Sequence, residues 1–410
     1  MTTLPVSTPI TTQPAASGPR LLHALTLRRL LSFGPETAPL ELRGLNVLIG
    51  PNGSGKSNLL EAIALLRAAP NRVSPNDLRT VIGRGGGVGE WIWKGDPKGV
   101  ATLEAIVDNP HGSQPLRHVL AFRAAQQTFR LDDERIENER PYTGKPIPYF
   151  YYRYQQGQPV IAVKDAERPL ARESVEPDVS ILAQRRDPEI YPVITELAAA
   201  YDRIRLYREW AFGRNTIFRE PQKADLRTDR LEEDFSNLGL FLNRLRRHSK
   251  AKNALLNALR DLYEGLTDFD VSVEGGTVQV FFTEGDYTIP ATRLSDGTLR
   301  YLCLLAILCD PEPPPLIGIE EPELGLHPDI LPKLADLLVA GSERSQLIVT
   351  THSDVLVDAL TEHPETVVVC EKHAGQTVMK RLEGERLAHW LKDYRLGELW
   401  TRGELGGTRW

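Results

Sequence analysis

The stretch GPNGSGKSN, residues 50–58, decides the fold of this chain. Three glycines and a Lys-Ser pair fall within it. The apolar run LNVLI (45–49) precedes it, and KSNLLEAIALLRA (56–68) continues with apolar residues at three- and four-residue spacing. This order of strand, glycine-rich turn and helix is the context that the pattern G-x-x-x-x-G-K-[ST] requires. The stretch is therefore predicted to be a phosphate-binding loop.

The residue types in this loop suit the phosphates of a nucleotide. Glycines let backbone N–H groups turn toward a β-phosphate, and the N-terminus of the following helix adds favourable partial charge. Lys56 is predicted to reach the β- and γ-phosphates, and the Ser57 hydroxyl to ligate Mg²⁺. ATP and Mg²⁺ are thus the predicted cofactors, and the predicted binding residues are Gly50, Pro51, Asn52, Gly53, Ser54, Gly55, Lys56, Ser57 and Asn58.

Two further polar sites follow apolar strands late in the chain. Glu320 and Glu321 come directly after the run LIGI (316–319), and successive strand residues point in opposite directions. Glu320 is assigned to the outer shell of the metal, and Glu321 to the attacking water as general base. His352 follows another apolar strand and is predicted to sense the γ-phosphate. Glu321, His352 and Lys56 form the predicted catalytic set.

The pattern of the whole chain predicts an α/β fold assembled from both ends. Short alternating runs from about 100 to 165 indicate an antiparallel meander, and helical periodicity returns from about 178 to 262, including YPVITELAAAYDRIRLYREW (191–210). Alternating helices and buried strands after 290 indicate a parallel sheet. The predicted parts are a disordered leader (1–19), the N-terminal part of the main domain (20–177), a helical insertion or arm (178–265) and the C-terminal part (266–410).

The loop TRLSDGT (292–298) lies far from the phosphate loop in sequence and precedes another apolar helix. Taken alone, Ser295 or Asp296 is explained as a helix N-cap. Taken together, the motifs resemble those of ABC-class ATPases of the SMC/RecF/OLD group. Residues 50–57 are similar to its Walker A motif, 316–321 to Walker B, 294–298 to the signature loop, 324–328 to the D-loop, and His352 to the switch histidine.

This resemblance implies an ABC-type P-loop ATPase head with a mixed sheet, an antiparallel β-meander subdomain and a short helical insertion. In that group the signature loop closes over the nucleotide bound by a second subunit. Ser295 and Gly297 are therefore expected to contact ATP in trans, within a head-to-tail homodimer. The usual Walker B aspartate is here Glu320, and no residue stands out as a Q-loop glutamine.

Other segments resemble stand-alone ATPases of the AAA_21 type: residues 27–63, SILAQRRDPEIYP (180–192), LEEDFSNLGLFL (231–242) and LGELWTRGELGGTRW (396–410). The resemblance implies a Mg²⁺-dependent ATPase that acts as a switch or DNA clamp in phage defence or DNA repair, beside a separate effector such as a nuclease. A RecF-like ATPase acting directly on DNA and a scaffold latched by ATP are the alternatives. Only 58 residues follow His352, without an acidic metal cluster, so no nuclease is predicted within this chain.

Charge leaves the question of DNA open. The 410 residues have a net charge of −6, which gives no overall reason to expect nucleic acid. The stretch 184–260 nonetheless has sixteen Lys or Arg and eleven Asp or Glu. A DNA-binding face and a solvated face of ion pairs are both open interpretations. The basic residues on one predicted helix are Arg244, Arg246, Arg247, Lys250 and Lys252.

The remaining features predict a cytoplasmic protein without a membrane partner. No run of eighteen apolar residues occurs, and residues 1–19 lack the basic start and apolar centre of a signal peptide. The three cysteines lie in apolar contexts without a C-x-x-C pair. An alternating strand explains YFYYRY (149–154) better than base stacking does. The tail GELGGTRW (403–410) is expected either to dock a partner or to pack on the ATPase core.

Overall fold

A computed structural model describes residues 18–73, 75–155, 158–163, 166–170, 175–213 and 216–407. Residues 1–17 of the predicted leader and the last three residues of the tail lie outside these ranges. The strands are β1 (Leu22–Arg28), β2 (Leu40–Glu41), β3 (Leu45–Ile49), β4 (Ala101–Val107), β5 (Leu116–Ala125), β6 (Thr128–Asn138), β7 (Phe150–Gln155), β8 (Gln158–Val163), β9 (Ala166–Pro169), β10 (Arg205–Tyr207), β11 (Gln222–Lys223), β12 (Leu266–Glu274), β13 (Thr277–Glu284), β14 (Tyr287–Pro290), β15 (Leu316–Glu320), β16 (Gln346–Thr350), β17 (Val367–His373) and β18 (Gln376–Arg381).

The helices lie mostly between these strands. They are α1 (Lys56–Ala68), α2 (Leu78–Arg84), α3 (Val88–Trp91), α4 (Ile181–Gln184), α5 (Pro192–Asp202), α6 (Leu238–Leu245), α7 (Ser249–Leu262), α8 (Asp296–Leu308), α9 (Leu331–Ser342), α10 (Asp354–Asp358), α11 (Gly384–Leu387) and α12 (Leu396–Thr401). In the described part of the chain, no helix is long and apolar enough to cross a membrane.

A six-stranded sheet occupies the centre, in the order β10-β15-β16-β3-β17-β18. All its neighbouring strands run parallel except β17 and β18, which form an antiparallel hairpin. Because the carboxyl ends of parallel strands meet at one edge, the segments that follow β3, β15 and β16 are brought together there. These segments are the phosphate loop, the Glu320–Glu321 pair and the stretch before His352. The predicted α/β architecture is confirmed.

An eight-stranded antiparallel sheet, β2-β1-β4-β5-β6-β7-β8-β9, forms a second layer, as the alternating runs predicted. In YFYYRY, Phe150, Tyr152 and Tyr154 are buried, whereas Tyr151 and Arg153 between them are half-buried. This alternation is what a strand with one core face requires. The smaller third sheet is formed by β11, β12, β13 and β14, with a hairpin turn at Gly275 and Gly276 between β12 and β13.

Side chains on the two faces of the central sheet enter two different cores. Val47 and Ile49 of β3 pack on one side with residues of α6, α7, α8 and α9. Leu48, between them in sequence, packs on the other side with α1 and the eight-stranded sheet. Strand residues alternate in this way because successive side chains point to opposite faces. The central sheet is covered on both sides, which holds its carboxyl edge in a fixed geometry.

The helical interpretation of residues 191–210 is wrong in its second half. Helix α5 ends at Asp202, and Arg205–Tyr207 form β10, which pairs in parallel with β15. A three-residue strand leaves too little sequence for a period to show, and its partner is more than a hundred residues away. The segment 178–265 therefore supplies an edge strand of the central sheet as well as helices. The domain boundaries themselves stay a prediction.

Candidate functional site

The phosphate loop has a backbone shape that only glycine adopts readily. Gly50, Gly53 and Gly55 have φ angles of +140°, +77° and +103°. A Cβ atom at Gly50 would lie 2.1 Å from the carbonyl oxygen of Cys370, and one at Gly55 would lie 2.2 Å from Thr377 Oγ1. Helix α1 starts at Lys56 without a side-chain cap. Its first N–H groups are therefore directed at the loop, as an anion site requires.

Lys56 lies inside the loop that it is predicted to serve. Its Nζ donates hydrogen bonds to the carbonyl oxygens of Gly50 (2.7 Å) and Pro51 (3.1 Å), and the residue is only 5% exposed. Burial lowers the pKa of Lys56, while Glu320, Glu321 and neighbouring acids favour its charged form. A largely desolvated ammonium group beside open helix N–H groups fits the charge of a nucleotide's phosphates.

Ser57 and Glu320 are in direct contact, as the metal prediction requires. The Ser57 hydroxyl donates a hydrogen bond to Glu320 Oε1. A hydroxyl and a carboxylate beside a phosphate site are the oxygen donors that Mg²⁺ prefers. These residues therefore fit the predicted metal ion, although their role stays a prediction.

Arg208 holds the other oxygen of Glu320, and the sequence analysis missed it. Its Nε lies 2.8 Å from Glu320 Oε2, and its Nη1 lies 2.7 Å from Glu61 Oε1 on α1. Burial opposes the charge of Arg208, but its bonds to Glu320 and its attraction to Glu61 raise its pKa overall. Arg208 directly follows β10, so it could be placed only once Arg205–Tyr207 was known to be a strand beside β15.

Trp210 extends this contact to α8. Its indole N–H donates to the carbonyl oxygen of Glu320 at 2.8 Å, and the guanidinium of Arg300 lies 4.6 Å from the centre of its ring. Burial lowers the pKa of Arg300 to about 10. The chain after β10 therefore touches both Glu320 and the helix that follows the predicted signature loop.

Glu321 and His352 meet at the edge of the sheet, as their assigned roles require. Glu321 Oε1 lies 3.6 Å from His352 Nε2, and both side chains are about one-third exposed. The Glu321 backbone has φ +47°, a left-handed conformation that is costly for a non-glycine residue. It is held there by a hydrogen bond from its N–H to the Thr350 carbonyl (3.0 Å) and by the Arg300 guanidinium, which donates to its carbonyl oxygen (3.2 Å).

Glu323 is a second residue that the sequence analysis missed. One of its carboxylate oxygens accepts hydrogen bonds from the Thr351 hydroxyl and from the backbone N–H of His352, each at 2.7 Å. Burial raises the pKa of Glu323, although these donors favour the charged form. The signal was the repeated acid in EEPE, two residues after Glu321. Its contacts fix the backbone that carries His352.

The predicted signature loop caps its own helix. Ser295 Oγ accepts the backbone N–H of Thr298 at 3.1 Å at the start of α8. Arg219 pairs with Asp296 at 2.5 Å and also donates to the carbonyl oxygen of Leu294. Within the described residues, no hydrogen bond or ion pair joins 295–297 to 50–58. The N-cap interpretation therefore holds for the isolated chain, and the contact with ATP in trans stays a prediction.

We expect Arg208→Met to lower the free energy of unfolding by about 1–3 kcal/mol, because it leaves two neighbouring carboxylates without their shared cation. The three side chains are 25%, 17% and 30% exposed, so solvent weakens the effect only in part. Urea unfolding in the absence of nucleotide measures it. Arg123→Met removes a pair whose side chains are 54% and 35% exposed and serves as the control. Equal effects of the two substitutions would contradict the assignment of Arg208 as the shared counter-charge.

The fold and this arrangement of loops define a class of protein, an ABC-type P-loop ATPase head. The chain matches the family model described as "AAA domain, putative AbiEii toxin, Type IV TA system" (AAA_21) over residues 45–358. The chain therefore belongs to the AAA_21 family. The predicted resemblance to SMC/RecF-like ABC-class P-loop ATPases is confirmed for the family and for the fold.

Two chromosome partition proteins Smc share sequence with part of the chain. The protein from Desulfitobacterium hafniense is 34% identical over 103 residues, which is 24% of this chain and 8% of that protein. The protein from Rhodopirellula baltica is 33% identical over 100 residues, 23% of this chain and 8% of that protein. The match thus spans less than a tenth of the length of these relatives.

Solved Smc heads share the fold over most of the chain. One is described as the SmcHead bound to the C-winged helix domain of ScpA, with a TM-score of 0.55 and 16% identity, covering 89% of this chain and 99% of that chain. Another is the Smc head domain with an extended coiled coil, bound to the C-terminal domain of ScpA derived from Pyrococcus furiosus. Its TM-score is 0.52 at 15% identity, covering 91% of this chain and 99% of that chain. At these identities the likeness establishes the fold alone.

Proposed function

We propose that this chain binds ATP with Mg²⁺ and hydrolyses it. The observation that carries the proposal is the meeting of five predicted residues at one edge of the central sheet. Lys56 and Ser57 begin α1, Ser57 touches Glu320, and Glu321 faces His352. The membership of an AAA family supports nucleotide use by this chain.

Each residue then has a separate task. The N–H groups of residues 53–57 and the ammonium group of Lys56 bind phosphate oxygens. Ser57 and Glu320 hold Mg²⁺, which when bound neutralises charge on the phosphates. Glu321 accepts the proton of the attacking water. His352, with its backbone fixed by Glu323, donates to the γ-phosphate and keeps the Glu321 side chain in place.

We propose that Ser295 and Gly297 act on the nucleotide of a second copy of the chain. In the isolated chain, this loop touches the predicted D-loop, since a Cβ atom at Gly297 would lie 3.0 Å from the carbonyl oxygen of Gly325. Two copies arranged head to tail bring α8 of one copy to the phosphate loop of the other. ATP bound between them stabilises the dimer only, so ATP binding closes the dimer and hydrolysis reopens it.

The cellular task that we propose is a switch in phage defence or DNA repair that controls a separate effector protein such as a nuclease. Two observations support a protein partner. The family description includes a putative toxin of a toxin–antitoxin system, and the Smc heads of the same fold are bound to domains of ScpA. An ATP-dependent dimer offers an effector a surface that exists in one state of the switch only.

The alternative, direct action on DNA, depends on the five basic residues that were predicted to share one helix. That prediction is wrong, because α6 ends at Leu245 and α7 begins at Ser249, so Arg246 and Arg247 lie in the turn between two helices. Arg244 pairs with Asp310 at 2.7 Å, and Lys252 pairs with Asp268 at 2.7 Å. Arg246 pairs with Asp270. These ion pairs favour the interpretation as a solvated, internally neutralised face. Arg247 and Lys250 are exposed, and direct binding to DNA would depend on these two residues.

The test of the proposed function is release of phosphate from ATP by the wild-type chain, with Mg²⁺ and with excess EDTA. We expect turnover that requires the metal, because Ser57 is neutral and Glu320 is negative, so a cation is needed between them and the negative phosphates. Absence of phosphate release with Mg²⁺ would reject the proposed hydrolysis, and absence of ATP binding in a calorimetric titration would reject the proposal as a whole.

Duplex DNA added to the same assay separates the two tasks. If the chain acts directly on DNA, turnover rises with DNA, and the double substitution Arg247→Glu and Lys250→Glu removes that rise without changing the basal rate. If the chain controls an effector, DNA alone changes nothing. The substitution pair Arg227→Glu and Arg123→Glu, on other exposed surfaces, controls for a general change of charge.

A further inference from the structure

The C-terminal segment Leu396–Gly407, here called the tail segment, lies against the loop that carries His352. Helix α12 packs on α10, which begins two residues after His352. A Cβ atom at Gly397 would lie 2.3 Å from the carbonyl oxygen of Asp354. The backbone N–H of Glu398 donates to Asp358 Oδ1 at 3.1 Å. The backbones of the two helices therefore approach closely at Gly397, beside the Asp358 side chain.

The other end of the tail segment lies against the first glycine of the phosphate loop. A Cβ atom at Gly407 would lie 3.4 Å from the Cα of Gly50 and 2.8 Å from Val369 Cγ1. The N–H of Gly407 donates to Glu371 Oε1 at 2.9 Å, and this bond is the main cause of the lowered pKa of Glu371. Gly407 has φ +68°, so both its conformation and its surroundings require glycine.

The two ends are held at a fixed separation. Trp400 at the end of α12 is only 8% exposed, and its indole N–H donates to the carbonyl oxygen of Gly407 at 3.2 Å. Leu396 and Leu399 are buried on the same helix. A short helix anchored by three buried side chains moves as one body with the turn that follows it.

The phosphate loop depends on its surroundings at this point. Gly50 lies between the carbonyl oxygen of Cys370 on one side and Gly407 on another. Its own carbonyl oxygen accepts a hydrogen bond from the ammonium group of Lys56. A displacement of Gly407 would therefore shift Gly50, and with it the hydrogen bond that Gly50 accepts from Lys56. At the other end, a displacement of α12 reaches His352 through α10.

We infer that the tail segment is a positioning element of the nucleotide site, which sets the phosphate loop and the His352 loop relative to each other. This inference rests on the proposed function of the site. It assigns a task to Gly397, where an added Cβ atom would collide with the Asp354 carbonyl oxygen, and to Gly407, where it would collide with Val369 Cγ1 beside Gly50. The sequence analysis left the choice between docking a partner and packing on the core; the described residues pack on the core.

The inference is tested with one substitution at each end of the tail segment. We expect Gly407→Ala to raise the Kd for ATP about 10-fold, since an ångström-scale shift of the loop costs binding contacts. We expect Gly397→Ala to lower kcat about 10-fold with little change in Kd, because it moves His352 and not the loop. Calorimetry with ATP–Mg²⁺ gives Kd, and phosphate release gives kcat.

Two glycines provide matched controls. Gly285 has φ +56° and nothing within 4 Å of an added Cβ, so Gly285→Ala reproduces the backbone strain of Gly407→Ala without its collision. Gly83 lies within α2 and also has open space, so Gly83→Ala matches Gly397→Ala. Thermal unfolding without nucleotide shows whether each variant is folded. Kd and kcat equal to those of the controls would overturn the inference, even if the melting temperature falls.

Glu371 supplies a milder pair of variants in case the alanines do not fold. Glu371→Ala removes the acceptor of the Gly407 N–H and is expected to raise the Kd for ATP about 5-fold, the worth of one hydrogen bond. Glu371→Gln keeps an acceptor and is expected to restore most of the affinity. The same Kd for both variants and the wild type would also overturn the inference. Absence of ATP binding by the wild-type chain would instead reject the proposed function, on which the inference rests.

Discussion

Glu321→Gln is expected to lower kcat for ATP hydrolysis by about 10²–10⁴-fold, the usual contribution of a general base. The amide has the shape of the carboxylate but does not accept the proton of the attacking water. The left-handed backbone of Glu321 and its bonds to Thr350 and Arg300 do not involve the carboxylate, so they persist in the variant. ATP binding is therefore retained, and the ATP-bound dimer should accumulate because it no longer reopens.

Light scattering of the wild type and of Glu321→Gln, each with and without ATP–Mg²⁺, measures this directly. The mass of Glu321→Gln should double only when ATP is present. Glu312→Gln changes an acid in the loop before β15 that is 77% exposed, and it should behave as the wild type. Rapid ATP hydrolysis by Glu321→Gln would show that Glu321 is not the general base, whatever mass the variant has in solution.

Ser295→Arg and Lys56→Ala are each expected to abolish turnover, yet an equal mixture of the two should regain it. In a mixed dimer, one site combines both defects, and the other combines the intact phosphate loop of one copy with the intact signature loop of the other. Random pairing of independent sites predicts about a quarter of the wild-type rate. This outcome arises only if Ser295 acts on the nucleotide of the partner.

The mixture also tests the simpler interpretation of Ser295 as a helix cap. Ser295→Asp replaces one good N-cap by another and is the control for the stability of α8. If Ser295 only caps α8, Ser295→Arg lowers the melting temperature and keeps turnover, and mixing adds nothing. If the two residues served one site in the same copy, each variant would be inactive and the mixture would stay inactive.

The local motifs could be predicted from the sequence because their geometry is determined within a few residues. The glycine spacing of 50–55 requires left-handed backbone angles, and the apolar runs before Gly50, Glu320 and His352 require buried strands. Strands that end in polar residues at one edge of a parallel sheet bring those residues together. The contacts Ser57–Glu320 and Glu321–His352 follow from this logic.

The contacts that support the site could not be predicted, because their partners are far apart in sequence. Arg208 meets Glu320 only because Arg205–Tyr207 leaves the helical pattern to join β15. The three residues gain their strand conformation from the existing edge of the sheet rather than from their own preference. Gly407 similarly reaches Gly50 across the whole length of the chain. A glycine-rich end of a sequence gives no sign of what it touches.

Charge patterns left the question of DNA open for a related reason. The excess of basic residues between 184 and 260 is a property of the sequence, but Arg244 and Lys252 find acids contributed by other segments. Asp310 lies beyond α8 and Asp268 on β12, so a count within the basic stretch excludes both. A basic helix in an acidic protein therefore says little about DNA until its neighbours are known.

The guanidinium of Arg208 serves as an internal counter-ion for the carboxylates of Glu320 and Glu61. Glu320 and Glu61 share one cation that is covalently part of the protein, so a divalent ion arriving at Ser57 and Glu320 would meet a carboxylate that already has a positive partner. Binding to such a carboxylate yields less free energy than binding to one that has no positive partner. We therefore expect weak affinity for Mg²⁺ alone and much stronger affinity when ATP contributes its own oxygens, which a calorimetric titration with and without ATP measures. Mg²⁺ would then bind only together with ATP, and the ATP-free protein would not respond to changes in the magnesium concentration.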